Sequence, residues 1–121
     1  MEQGCKMRLG FTLCLMLAAG PALAEVGLKA DAIRAALVGN TVTGTMQASG
    51  GYAEFYAPDG SIRAADYTGK WAIKGDRMCF DYGDAPETCF AVALSGNRVV
   101  WLGDGGEEGA GQIKPGNAGG W

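Results

Sequence analysis

The chain has 121 residues, 48% of them hydrophobic, with a formal net charge of −3 and no histidine. That length suits one domain of ordinary size. Scattered acidic charge excludes the basic face that nucleic-acid phosphates require and suits an anionic membrane surface no better. Without histidine, Ser-His and Cys-His nucleophile systems and imidazole metal sites are excluded too.

The N-terminal stretch reads as a signal peptide over residues 1–24. Lys6 and Arg8 make its positive start, and Leu9 to Ala19 form an apolar run too short for a span of ~20 residues. Pro21 interrupts the run, and Ala22-Leu23-Ala24 supplies the small residues a signal peptidase needs. Bulky Leu13 before Cys14 argues against lipid attachment there. Cleavage after Ala24 removes Glu2, Lys6 and Arg8, leaving residues 25–121 with a charge of −4. Cys5 and Cys14 leave as well, so Cys79 and Cys89 remain. In an oxidising compartment such a pair forms one disulfide, and the expected location is periplasmic or secreted.

Leu28 to Val38 is Ala-rich and free of Gly and Pro, with Leu28, Ala32, Ile33, Ala36 and Leu37 near one face. The pattern predicts a single helix, stopped by Gly39-Asn40. Short strand-like runs follow: Thr41–Met46, Tyr52–Ala57, Ser61–Tyr67, Lys70–Lys74, Arg77–Tyr82, Glu87–Leu94 and Arg98–Leu102. Turns such as Pro58-Asp59-Gly60 and Gly75-Asp76 separate them. Seven runs with short connections predict a mainly β fold, an antiparallel meander of about seven strands curled into a small barrel or half-barrel. Residues 103–121 are glycine-dense, and Ala110 to Lys114 is their one strand candidate. The segment reads as a partly disordered tail.

Alternation places Trp71 with Ile73, Met78 with Phe80 and Tyr82, and Phe90 with Val92 and Leu94 on shared faces. These large side chains are expected inside the curled sheet, with Trp71, Phe80 and Phe90 lining any cavity. Cys79, Cys89, Ala91 and Ala93 take the other face, and the helix is expected to cover them or to plug one end. Cys79 and Cys89 fall on adjacent strands across Gly83-Asp84-Ala85-Pro86, within disulfide reach. No Cys-x-x-Cys spacing suggests a redox pair.

Carboxylates are the remaining acid–base groups, with Glu54, Asp66 and Asp81 in strand-like runs. Alternating strands commonly carry such residues toward solvent, so no catalytic residue is assigned. The acidic loops at Asp81–Glu87 and Asp104–Glu108 lack the spacing of a calcium loop and read as turns, so no metal or cofactor is assigned. Tyr52, Glu54 and Tyr56 share one strand face opposite Phe55. That polar-aromatic face reads either as a shallow binding surface for a glycan or peptide or as an amphipathic strand under a loop.

The chain resembles a group of small, uncharacterised secreted proteins of alphaproteobacteria. The likeness rests on Gly39-Asn40-Thr41-Val42-Thr43-Gly44, Phe55-Tyr56-Ala57-Pro58-Asp59-Gly60, Gly69-Lys70-Trp71, Cys79-Phe80, Cys89-Phe90 and Gly116-Asn117. These are turn and core residues, so the resemblance implies an exported one-disulfide β domain and carries no activity. The expected function is a non-enzymatic periplasmic domain binding an envelope component or protein, with no nucleic acid and no membrane span after cleavage. The alternatives are a carboxylate-dependent hydrolase of an envelope polymer and a structural or inhibitory protein acting through an exposed strand edge.

Overall fold

The computed structural model describes residues 27–121, so the predicted signal peptide and its cleavage site lie outside the described residues. One helix, α1 (Ala30–Leu37), precedes eight strands: β1 (Asn40–Met46), β2 (Gly50–Tyr56), β3 (Ser61–Arg63), β4 (Thr68–Lys74), β5 (Arg77–Asp81), β6 (Thr88–Ser95), β7 (Arg98–Gly103) and β8 (Gly106–Pro115). Each strand pairs antiparallel with the next, and β8 returns to β1, closing a barrel. Closure removes the open sheet edge that strand addition would use.

The glycine-dense segment 103–121 departs from its expected disorder. Its β8 is the longest strand, ten residues, and pairs with β1 from Asn40↔Pro115 to Met46↔Gly109. Its glycines are required by close backbone approach at this seam. Gly44 lies opposite Gly111, and a Cβ on Gly44 would fall on the Ala110 carbonyl and 2.5 Å from the Gly111 Cα. A Cβ on Gly111 would lie 2.7 Å from both the Tyr52 hydroxyl and Val42 Cγ1. Beyond β8, the Thr41 hydroxyl donates to Gly116 O (2.7 Å) and accepts from Ala118 N (2.9 Å), tying this stretch back to β1.

Other boundaries shift for local reasons. The run Ser61–Tyr67 keeps strand pairing only over Ser61–Arg63, after which Ala64 N donates to Tyr67 O (3.2 Å) and turns the chain. The helix begins at Ala30: Leu28 N donates to Val92 O (2.7 Å), and the N-cap residue Lys29 is extended. Asp76 Oδ1 accepts from Ala30 N (2.9 Å), so a carboxylate on the β4–β5 hairpin caps the first turn of α1. After the helix, Gly39 takes φ +84°, the left-handed stop expected of it.

The hairpins divide the barrel into two ends. Residues 47–49, 64–67, 82–87 and 104–105 connect strands at one end; 57–60, 75–76 and 96–97 connect them at the other, where α1 leads into β1. Of its two expected placements, α1 takes the plug. Ile33 and Leu37 are fully buried against inward residues including Val42, Ile62, Trp71 and Met78. The faces inferred from alternation hold: Met78, Phe80, Val92, Val99 and Trp101 fill the interior. Cys79 lies directly opposite Cys89 across β5 and β6, and the two form a disulfide on the outer face with Cα atoms 3.9 Å apart. No helix among the described residues is long and apolar enough to cross a membrane.

Candidate functional site

With α1 filling one end, the barrel keeps a cavity of about 610 Å³ toward the other. Tyr52, Glu54 and Tyr56 lie on its wall, inside the barrel rather than on a shallow outer surface. Both faces of β2 carry aromatics, so alternation could pair these residues without saying which side faces inward. Phe55 takes the outer side, with the Arg63 guanidinium 6.0 Å from its ring centroid.

Glu54 is the chemical centre of the wall and only 4% exposed. Its Oε1 accepts from the Tyr56 hydroxyl (3.0 Å), and its Oε2 accepts from Tyr67 (2.6 Å) and Tyr82 (2.8 Å). The Tyr52 hydroxyl accepts from Trp101 Nε1 (2.8 Å) and donates to Ala110 O (3.3 Å). All four tyrosines of the chain thus converge on one cavity. A carboxyl group this deep is costly to bury unless its oxygens accept hydrogen bonds, and the three hydroxyls supply donors to both of them. No buried side-chain polar atom among the described residues lacks a partner.

The rest of the wall is aromatic. Phe80 meets Trp101 edge-on at 5.3 Å, Tyr56 at 5.8 Å and Phe90 at 6.1 Å between ring centroids. Tyr67 and Tyr82 meet edge to face at 5.9 Å and are the most exposed large hydrophobic side chains among the described residues. Of the three rings expected to line a cavity, Phe80 and Phe90 do so and Trp71 does not. Trp71 lies at the plugged end, where its indole N–H donates to Ala57 O (2.8 Å) and the Arg34 guanidinium stands 5.9 Å from its ring. Sequence reasoning missed Tyr67, Tyr82 and Trp101 as site residues. Tyr82 shared a strand face with Met78 and Phe80, and that was the available signal; Tyr67 sits in a turn, where no periodicity applies.

Charge is one-sided at the cavity. Glu54, Asp84 and Glu108 line it, and among the described residues neither lysine nor arginine does. The cations with partners are paired elsewhere, as in Lys74–Glu87 (2.8 Å) and Arg98–Glu107 (3.6 Å). Asp66 and Asp81 are exposed and absent from the lining, so the three carboxylates singled out in the sequence do not assemble a catalytic pair. Among the described residues the one close group of three metal-ligating side chains is Cys79, Glu87 and Cys89, whose sulfurs are bonded to each other.

Burial, and then the nearby Glu54 charge, push the Tyr56 hydroxyl well above its ordinary value near 10. Tyr67 and Tyr82 are pushed up by the same causes, and Tyr52 is raised chiefly by burial. The tyrosines therefore remain protonated donors across physiological pH. Above pH 10 the unfolded chain loses these protons before the folded one does, so stability is level below that point and falls above it. Each tyrosine still protonated in the fold adds about 1.4 kcal/mol per pH unit to this slope, and solvent screening shortens the pH range over which the partly exposed Tyr67 and Tyr82 do so. Tyrosinate absorbance near 295 nm is expected to rise together with the loss of ellipticity. A smooth tyrosine titration in the folded protein at pH ~10 would contradict the network.

The fold and site define a class: a closed eight-stranded antiparallel barrel, plugged by a helix at one end and holding an acidic, aromatic cavity at the other. No family model matches the chain, and the searches of curated proteins and of solved structures find no match either.

Proposed function

We propose that this protein is an exported, periplasmic, non-enzymatic binding domain that holds a small envelope component inside its barrel. The carrying observation is the cavity of about 610 Å³ whose wall gathers every tyrosine of the chain with Phe80, Phe90 and Trp101. Its size falls within the range of small-molecule sites, and its lining is mostly apolar with a few convergent polar groups. An interior that served only to stabilise the fold would be filled by side chains to close packing. The disulfide and the signal-peptide pattern support the compartment.

Thr88 stands at the cavity margin and is exposed, so Thr88→Trp is expected to narrow the site while changing stability by less than about 1 kcal/mol. Native mass spectrometry of protein recovered from the periplasm should show a bound small molecule that Thr88→Trp lacks. In the apo protein, fragments that bind should shift the Trp101 indole N–H resonance. Unliganded mass in both proteins, together with an indole signal that no fragment moves, would remove the basis for this reading.

A further inference from the structure

We infer that the cavity ligand is a small free organic cation with an alkylated or quaternary ammonium group; this rests on the binding reading above. Three observations point the same way. Among the described residues the lining carries three carboxylates and no basic side chain, so an anion entering it would meet uncompensated repulsion. The cavity is aromatic, with Tyr56, Phe80, Phe90 and Trp101 as neighbouring rings in its depth and Tyr67 and Tyr82 at its mouth. Ring faces attract a cation through their quadrupole, most strongly where water is excluded. Finally, Glu54 is buried, accepts from three tyrosine hydroxyls and has no cationic partner among the described residues.

The last point separates alkylated ammonium from a bare amine. A primary ammonium needs three acceptors, and of the roughly four lone-pair sites on the Glu54 carboxylate the tyrosine hydroxyls already take three, at 2.6, 2.8 and 3.0 Å. An alkylated ammonium needs none of them. It spreads its charge over methyl groups that pack against rings, and Glu54 acts on it through space. Donation from each phenol to Glu54 also polarises the ring, making its face more attractive to a cation. Asp84 and Glu108 attract such a ligand and repel a phosphodiester, which favours a free cation over a lipid headgroup.

The test titrates the residue 25–121 protein with choline, with its neutral carbon isostere 3,3-dimethylbutan-1-ol, and with glycerophosphocholine, reading the Trp101 indole N–H. Choline is expected to bind about tenfold more tightly than the isostere, in keeping with a desolvated cation–π contact, and more tightly than glycerophosphocholine. Glu54→Gln should shrink the choline-to-isostere ratio toward one, and added salt should weaken choline alone. The wild-type comparison holds even if that variant fails to fold. Equal or tighter binding of the isostere overturns the cation inference and leaves the cavity reading standing. Tighter binding of glycerophosphocholine overturns the free-cation assignment. If none of the three binds while periplasmic protein carries a non-cationic molecule, the inference again falls alone; if that protein is also empty, both readings fall.

Discussion

Gly44→Ala should destabilise the barrel by about 3 kcal/mol or more. The added methyl has no direction in which to yield, because its neighbours are the Ala110 carbonyl and the Gly111 Cα rather than flexible side-chain ends. To admit it, β1 and β8 must separate, and their pairing from Asn40 to Met46 is the seam that closes the sheet. Overpacking in a core typically costs 1–3 kcal/mol, and a clash against backbone belongs at or beyond the upper end, about 3 kcal/mol or more. A domain of this size has a total stability of about 5–10 kcal/mol, so the loss is a large share of it. Gly51→Ala is the matched control on the neighbouring strand. Its Cβ would find nothing closer than 3.8 Å and its backbone is not left-handed, so little change is expected. Circular dichroism and urea unfolding of the two variants would decide the matter. A Gly44→Ala protein that melts within a few degrees of the parent would mean that the seam is looser than described.

Removing the disulfide is expected to have the next largest effect. The double variant Cys79→Ala, Cys89→Ala opens a loop with a sequence separation of 10 and should cost about 2–3 kcal/mol. For a domain of this length that corresponds to a drop in Tm of about 10–20 °C. The effect should be larger than pair count suggests, because β5 and β6 are joined by only three register pairs, Met78↔Phe90, Cys79↔Cys89 and Phe80↔Thr88. The bridge sits in the middle of this short ladder and holds Phe80 and Phe90 side by side at the cavity wall. Reduction should therefore loosen the site before the whole barrel melts. Amide exchange in β5 and β6, compared with that in β1 and β8, would show this; uniform exchange across all four strands would count against it.

Local pattern determined a good deal of this protein. Alternation separated Phe80 and Phe90 from Cys79 and Cys89, adjacent strands paired the two cysteines, and an Ala-rich run ending at Gly39-Asn40 marked the helix. Each of these depends on residues close in sequence, where the period of the backbone is itself the signal. Three matters were left to tertiary structure. Composition made residues 103–121 look partly disordered, whereas Gly44, Gly109 and Gly111 are small because two backbones meet there. Alternation grouped Tyr52, Glu54 and Tyr56 yet could not choose the inside, since Phe55 is equally suited to burial. The gathering of Tyr67 and Tyr82 onto Glu54 spans 13 and 28 residues, and local period at most sets which face Tyr82 takes, not its partner. Closing the barrel brings these groups together, and closure depends on how the first and last strands fit, a property of the whole sheet that no short window of sequence contains.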